Sequence, residues 1–584
     1  MKKTLALLLA LTLLAAFFAA CGPKDPGVTQ PSDQPTASAP EQSGEPQTSD
    51  EPVDEGPYNL AVGKYETDAN GVPLTRYQYE LPLSTTDEVF TYLTSPMIVE
   101  AVPESGYEDL AYPAMLAEKT GVNIEYILIP FGNRWDNMSI LVASDDIPNL
   151  STNIDWFFPG PLQQAIDDEY IVNLYDYKEY MPNYFYEINS HPDDINVMAK
   201  IMPVPETIYA FYCFESEYVT RNSGAARGDW LEKLGMTNED VVTIDDLHNL
   251  LKLFQTECGA ETPYLLLSGL DSHGIFSPAF DTNFVVDSMN NKVAPPVVVD
   301  GQVQFCNSRP EDKEAMTLVN QWWNEGLIQP NWMSTTAIGD YMPLILDGTL
   351  GVIGLIPGEA NDYSGINNQD PNAYWVPIQK VVKEEGQVFH LGDGRTWITA
   401  GNWAISPKCD NIPLLVTYCD WFYSEEGIFL SNWGVEGEAF YYDENGKPML
   451  TDFLINHPSG MSWALLQYTM NDICEGGIIM RSKTYAIPGG EQFAEFHTFW
   501  DSHFNCDRSM QWPSAVTFTA EQDGQLANLG IDIQTYIAEN FLLFVDGSTP
   551  LSEWDSYVAG LDQLGWAECR QIYQDAYDAF MEKY

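Results

Sequence analysis

The chain has 584 residues, with 85 Asp and Glu against 26 Lys and Arg, so its formal charge is -59 and its pI is near 4.1. A surface this acidic repels phosphate backbones and anionic headgroups, which excludes nucleic acid and the bare membrane surface as partners. A hydrophobic content of 45%, with 13% aromatic residues, excludes a chain that is disordered throughout, and the length suggests two or three domains at about 150 residues each.

The first predicted element is a leader. Met1, Lys2 and Lys3 precede an apolar run from Leu5 to Phe18 broken only by Thr12, then Ala19, Ala20 and Cys21. This is a positive n-region, a short h-region and a small-residue cleavage site. The run is too short to cross ~30 Å of hydrocarbon comfortably, and no later stretch approaches ~20 uninterrupted apolar residues. Residues 1–20 are therefore expected to be a signal peptide, and no transmembrane helix is expected. Phe18-Ala19-Ala20-Cys21-Gly22 resembles the bacterial lipobox, whose cysteine is acylated and becomes the new N-terminus. The resemblance implies a lipid on Cys21 that holds the protein at the outer face of the cell membrane, extracellularly. From Gly22 to Pro57 the chain has no aromatic residue and Lys24 as its only base, so residues 21–57 are expected to form a disordered tether behind the lipid.

Residues 58–83 read as a lead-in hairpin, because Asp68-Ala-Asn-Gly71 is a turn sequence between strand-like residues. The body then alternates. Val89 to Thr94 is a predicted strand, Tyr107 to Lys119 a helix stopped by Gly121, and Val122 to Ile129 a strand ended by Pro130. A helix from Trp135 to Ala143 and a strand from Ile147 to Thr152 complete a β-α-β-α-β order, which argues for a parallel α/β sheet. Thr243-Ile-Asp-Asp246 reads as a capping box ahead of Leu247, Leu250, Leu251 and Phe254 at helical spacing. Further helices are expected from Pro310 to Asn324 and from Leu526 to Phe544, the latter stopped by Gly547, with a last helical region interrupted at Gly560 and Gly565.

Arg227-Gly-Asp-Trp-Leu-Glu-Lys-Leu-Gly235, Trp323-Asn-Glu-Gly-Leu-Ile-Gln-Pro330, Trp421-Phe-Tyr-Ser-Glu-Glu-Gly427, Trp433-Gly-Val-Glu-Gly437 and Phe544-Val-Asp-Gly-Ser-Thr-Pro-Leu551 form an ordered set. Together with the lipobox, this set resembles the extracellular solute-binding lipoproteins of ABC importers, in the long branch associated with oligosaccharide uptake. The resemblance covers about residues 84 to 584. It implies an α/β, two-lobed, periplasmic-binding-protein-like (type II) clamshell with a ligand cleft between the lobes. The expected division is residues 84–205 for the first segment of lobe 1, 206–395 for the first segment of lobe 2, and 396–584 for crossover strands and helices completing both. Many relatives carry a calcium loop after the helix corresponding to Leu247 to Phe254. Here Gln255 to Thr262 lacks the alternating oxygen ligands, so calcium is not carried over.

No catalytic constellation is present: there is no G-x-S-x-G, HExxH or P-loop sequence. Close carboxylate pairs such as Asp145-Asp146 follow from the excess of acids. His497, His503 and Cys506 match no common zinc spacing, so no metal or cofactor is assigned. Besides Cys21 there are eight cysteines, Cys213, Cys258, Cys306, Cys409, Cys419, Cys474, Cys506 and Cys569, without a CxxC pair, and no disulfide is predicted.

The sixteen tryptophans are the informative excess. A sugar presents an apolar C–H face and a rim of hydroxyls, so a cleft for one needs flat aromatic platforms beside polar groups. Trp135, Trp156, Trp332, Trp397 and Trp403, near predicted strand ends or in loops, are the candidate platforms, with Asp155 and Arg395 as adjacent polar groups. Trp322, Trp323, Trp421 and Trp566 lie on apolar helix faces and are expected in the core. Asp229-Trp230 is read equally as a helix start pinned to the core. The expected function is capture of a carbohydrate, an oligosaccharide, by a monomer that delivers it to ABC permease subunits, with no bond made or broken. The alternatives are a surface glycan-degrading enzyme and a peptide receptor.

Overall fold

The computed structural model describes residues 56–583, apart from short segments at 96–101, 103, 131–132, 268–269, 272–273, 284–292, 333–334, 336–337, 356, 358–359, 361–362, 366–367, 459–460, 470–475 and 488–489. The leader, Cys21 and nearly all of the tether lie outside the described residues. Residues 55–584 make one compact unit. No described helix is long and apolar enough to cross a membrane.

Ten strands carry the architecture: β1 (Val89–Thr94), β2 (Asn123–Leu128), β3 (Leu150–Thr152), β4 (Phe211–Glu215), β5 (Ser223–Arg227), β6 (Thr262–Tyr264), β7 (Leu350–Leu355), β8 (Trp375–Pro377), β9 (Ile398–Ile405) and β10 (Gly477–Ile479). They form two sheets. The first runs β10-β4-β9-β3-β1-β2 and the second β8-β5-β7-β6. In the first, β1 pairs in parallel with β2 and β3, β10 pairs in parallel with β4, and β9 alone runs antiparallel to its neighbours. In the second, β6 and β7 are parallel, and β5 runs against β7 and β8.

This topology decides where the lobes face each other. The chain leaves the first sheet at the carboxyl ends of β4 and β10 and returns at the amino end of β9, so all three crossings emerge from one edge. That edge also carries the loops after β1, β2 and β3. In the second sheet, the amino end of β5 lies at the same edge as the carboxyl ends of β6, β7 and β8. Two carboxyl edges therefore face across the crossings, the place where open α/β sheets bind ligands.

Each lobe has its own core. In the first, Tyr184, Phe211, Phe214 and Tyr423 pack ring against ring, with Tyr184 and Tyr423 centroids 4.8 Å apart. Phe211 to Glu215 thus belongs inside the first sheet, and the boundary drawn at residue 206 falls one strand early. In the second, Trp322 is wholly buried against Tyr264 and Phe276 at 5.4 and 5.1 Å. Burying each such ring contributes about 1.5 to 3 kcal/mol. Thr243 and Asp246 form the expected capping box on the helix Ile244–Leu253, whose buried face is Ile244, Leu247, Leu250 and Leu251.

The C-terminal helices Ala520–Val545, Trp554–Gln563 and Trp566–Met581 bury Leu526, Ile533, Ile537, Phe541, Trp566 and Tyr573 in the second lobe's core. The first of these helices ends where expected. Asn320 donates from Nδ2 to the carbonyls of Phe544 and Val545 at 3.0 Å each, and Gly547 follows in the left-handed region. Gly560 does not interrupt its helix, contrary to the sequence reading. It lies inside Trp554–Gln563 because the ring of Tyr536 occupies the place a Cβ would take, its Oη 2.1 Å from that position. Gly565, with φ of 94°, is the true break.

The recurring glycine and tryptophan segments turn out to be staples of the fold. Arg227 is fully buried, donates to both oxygens of Asp229 at 2.7 Å, to Asp370 at 2.8 Å and to the Gly348 carbonyl at 2.9 Å, and lies 4.3 Å from the Trp230 ring. The core-pinned reading of Asp229-Trp230 is therefore the structural one. Gly228 is needed because the Tyr374 ring lies 2.1 Å from its would-be Cβ. The segment after Phe254 is one π-helical turn, Phe254–Cys258, closed by Gly259; Lys233 Nζ donates to the Glu257 carbonyl at 2.6 Å.

Candidate functional site

The loop after β3 is the best-formed feature of the first lobe's facing edge. Asn153 adopts φ of 54°, a left-handed conformation that Asn tolerates better than most residues, and so turns the chain sharply out of the sheet. Its backbone N–H donates to the Asn402 carbonyl at 2.9 Å, and the Asn402 side-chain carbonyl accepts from the Ile154 N–H at 3.0 Å. Strand β9 thereby fixes the loop at two points.

Two of the predicted platforms with open ring surface lie at this edge, Trp156 on this turn and Trp135 on the helix that follows β2. Trp135 begins the helix Arg134–Ser144 and is 57% exposed; Trp156 lies in the short helix Ile154–Phe157 and is 39% exposed. Both rings meet the buried Phe157 edge to face, at 5.3 and 6.2 Å, with interplanar angles of 83° and 79°. Phe157 is itself held under the buried Arg134 guanidinium, 5.0 Å from its ring centre. Both rings thus keep exposed aromatic surface on a fixed support at this edge.

Asp155 has another role than the one expected. Its carboxylate accepts from Lys200 Nζ at 3.0 Å and from Asn402 Nδ2, and its side chain is 7% exposed. It is a buried anchor that holds the Trp156 turn on β9, in place of a free group for hydroxyls.

The other platforms fail for distinct reasons. Trp332 is 1% exposed in the second lobe's core, 6.0 Å from Phe541. Trp403 is 2% exposed, donates from Nε1 to the Tyr92 hydroxyl at 2.8 Å and packs on Phe422 at 5.0 Å. Both are core side chains. Trp397 is covered on its two faces, by His191 at 4.0 Å and 22° and by Tyr218 at 5.0 Å and 30°. A ring sandwiched this way has no face to offer a sugar. Arg395 is committed to Asp393, with bonds of 2.9 and 2.8 Å. Burial pushes the Asp393 carboxyl up, but the bonds from Arg395 and Arg508 outweigh it and hold it below the ordinary range.

The structure thus brings Trp135, Asp155 and Trp156 together at one edge and places Trp332, Trp397 and Trp403 elsewhere. Sequence reasoning missed Asn153, Phe157, Lys200 and Asn402, which build the edge. The left-handed Asn153 ahead of Asp155-Trp156 was the one local signal available.

Of the residues weighed as metal ligands, His497 Nδ1 donates to the Thr220 carbonyl at 2.7 Å and His503 meets Glu239 at 3.1 Å. Among the described residues no group of three metal-ligating side chains comes together, and no cysteine is paired.

No family model matches the sequence. The chain is 22% identical over 506 residues to the fructooligosaccharide ABC transporter substrate-binding protein FusA of Streptococcus pneumoniae, covering 80% of this chain and 86% of that one. Among solved structures, an HMO-binding ABC-transporter-associated solute-binding protein of Bifidobacterium longum infantis superposes with a TM-score of 0.64 at 19% identity, over 84% of this chain and 98% of that one. The alginate-binding protein AlgQ2 does so with a TM-score of 0.62 at 19% identity, over 84% and 99%. The chain is thus similar in sequence, over most of its length, to an ABC transporter substrate-binding protein, and its two lobes with three crossings share the clamshell fold of the solute-binding proteins it superposes on.

Proposed function

We propose that this protein captures an oligosaccharide between its lobes and delivers it, as a lipid-anchored monomer outside the cell, to an ABC permease. The observation that carries the ligand class is the pair Trp135 and Trp156. Two partly exposed indoles, both braced on Phe157, offer the kind of aromatic surface on which the apolar face of a sugar ring stacks. The names of the relatives agree, since fructooligosaccharides, HMO and alginate are what those proteins are said to bind. Micromolar capture corresponds to about -8.2 kcal/mol, within reach of a few stacked rings and their hydrogen bonds. Binding without turnover is supported by the similarity to ABC transporter substrate-binding proteins.

The test is calorimetry of the purified protein against a panel of fructans, human-milk-type glycans, uronans and N-glycan fragments, with a peptide library alongside. Binding to peptides and to no glycan would overturn the ligand class. The anchor at Cys21 is tested separately by Cys21→Ala, which is expected to move the protein from the membrane fraction to the medium or leave it unprocessed; unchanged fractionation and mobility would refute it.

A further inference from the structure

One of the rejected platforms, Trp397, lies where the lobes join, and its surroundings give it a different task. The first crossing runs from Glu215 to Ser223. Its start is fixed to the first lobe, where Glu215 receives Arg481 Nε at 2.7 Å and Ser216 N–H donates to the Ile479 carbonyl at 2.9 Å. Its end is fixed to the helix Glu491–Ser502 on the second lobe. Asp501 accepts from the Thr220 N–H and hydroxyl at 3.0 and 2.6 Å, His497 donates to the Thr220 carbonyl, and Trp500 Nε1 donates to the Gly224 carbonyl at 3.0 Å. The Glu217 carboxylate also accepts from the Arg481 N–H at 2.9 Å, so residues 218 and 219 are what remains between the clamps.

The second crossing is clamped in the same way. Asp393 exchanges bonds with the Gln511 side chain at 3.1 and 3.0 Å and receives Arg508 Nε at 2.7 Å, while Ile398 is already in register with Phe214 in the first sheet. Residues 394–396 span the gap, because the Trp397 carbonyl already accepts from the Glu215 N–H at 2.8 Å in the first lobe. Tyr218, on the first free span, and Trp397, at the first-lobe end of the second, stack on each other at 5.0 Å. The stack continues at both ends. On the first-lobe side, His191 lies over Trp397 and is held by Glu187 at 3.0 Å, which in turn pairs with Arg76. On the second-lobe side, the Arg508 guanidinium sits 5.5 Å from the Tyr218 ring and donates to its hydroxyl.

We propose that the Tyr218–Trp397 stack is the hinge contact of the molecule: it fixes the resting angle between the lobes and, through that angle, the affinity for ligand. Its two ends are fastened to different lobes, so any rotation about the crossings must slide or tilt one ring on the other. Both residues are positioning residues that need not touch ligand. The inference rests on the clamshell reading of the fold but not on the identity of the ligand.

The test is the distance between the lobes in the ligand-free protein, measured by electron–electron double resonance between spin labels on non-canonical residues at the exposed positions Glu118 and Glu539. Trp397→Ala is expected to shift or broaden the distribution, and Trp397→Phe to keep it, because Phe preserves a stackable face. Where ligand binds, Kd in Trp397→Ala is expected to change by roughly two- to tenfold, the range for one lost aromatic pair. If Trp397→Ala is too unstable to measure, Tyr218→Ala removes the facing ring from a half-buried site and carries the same test. A distribution unchanged in the Ala variants, or changed equally by Trp397→Phe, would overturn the proposal. Failure of the wild type to bind any glycan would leave this readout intact and would fall on the proposed ligand class instead.

Discussion

Replacing Trp156 with Ala should cost affinity and leave the unliganded fold nearly untouched. An indole offers up to about 250 Å² of surface, and Trp156 keeps 39% of it open, so about 100 Å² is available to a ligand. A sugar ring covers one face, about half of that area, worth about 1.3 kcal/mol at 25 cal/mol per Å². Stacking geometry adds about 0.5 to 1.5 kcal/mol by analogy with aromatic pairs. The sum is about 1.8 to 2.8 kcal/mol, or roughly 20- to 100-fold in Kd at 1.4 kcal/mol per decade. Trp135 has more open surface and should lose at least as much where the ligand is long enough to reach both rings. The assay is calorimetry with the best glycan of the panel beside thermal melting without ligand. If Trp135→Ala and Trp156→Ala both bind as the wild type does, the platforms are misassigned; if melting falls as much as binding, Phe157 depends on them for packing and the site argument loses its selectivity.

Trp403→Ala should behave in the opposite way, losing ~3 to 5 kcal/mol of stability because it empties a core site and removes the indole N–H that donates to the Tyr92 hydroxyl; a melting temperature within error of wild type would refute its core role. Gly560→Ala should destabilise despite a helix-propensity gain of about 1 kcal/mol, because the new methyl meets Tyr536; in a Tyr536→Ala background the same change should stabilise, and a gain in both backgrounds would show that the ring simply moves aside. Burial pushes the Asp420 carboxyl up to about 7 from 3.8, although it accepts from the Tyr184 and Asn183 N–H groups and the Tyr79 hydroxyl. The folded state then holds the proton more tightly, so this group's stabilisation is complete below pH 3.8 and is lost as pH rises to about 7. The melting temperature of Asp420→Asn relative to wild type should therefore climb across that window, and a constant difference would mean that Asp420 is ionised throughout. Chelation should leave the melting temperature within experimental scatter, since a π turn closed by Gly259 occupies the segment where a calcium loop was considered; a drop restored by calcium would refute this.

The sequence alone determined the elements whose causes are local. Val89 to Thr94, the helix Pro310–Asn324, the capping box at Thr243 and the stop at Gly547 all follow from residues a few positions apart, because capping, side-chain alternation and left-handed turns act over that range. The ordered motifs were legible for the same reason, and they proved to be staples of the clamshell: Arg227 on Asp229, Phe544 in the core. What only the tertiary structure decided is which tryptophan faces water. Trp156 and Trp397 look alike along the chain, each next to or near a charged residue in a predicted loop. One keeps an open face because Phe157 and Asn402 brace its turn from below; the other loses both faces to His191 and Tyr218, which the chain supplies from far upstream. Gly560 makes the same point in reverse, since a residue that ends helices by its own propensity sits inside one where a neighbouring tyrosine leaves no room for a methyl. Stacking, burial and steric fit are set by atoms brought together in three dimensions, and no local pattern of residue types records which of them will meet.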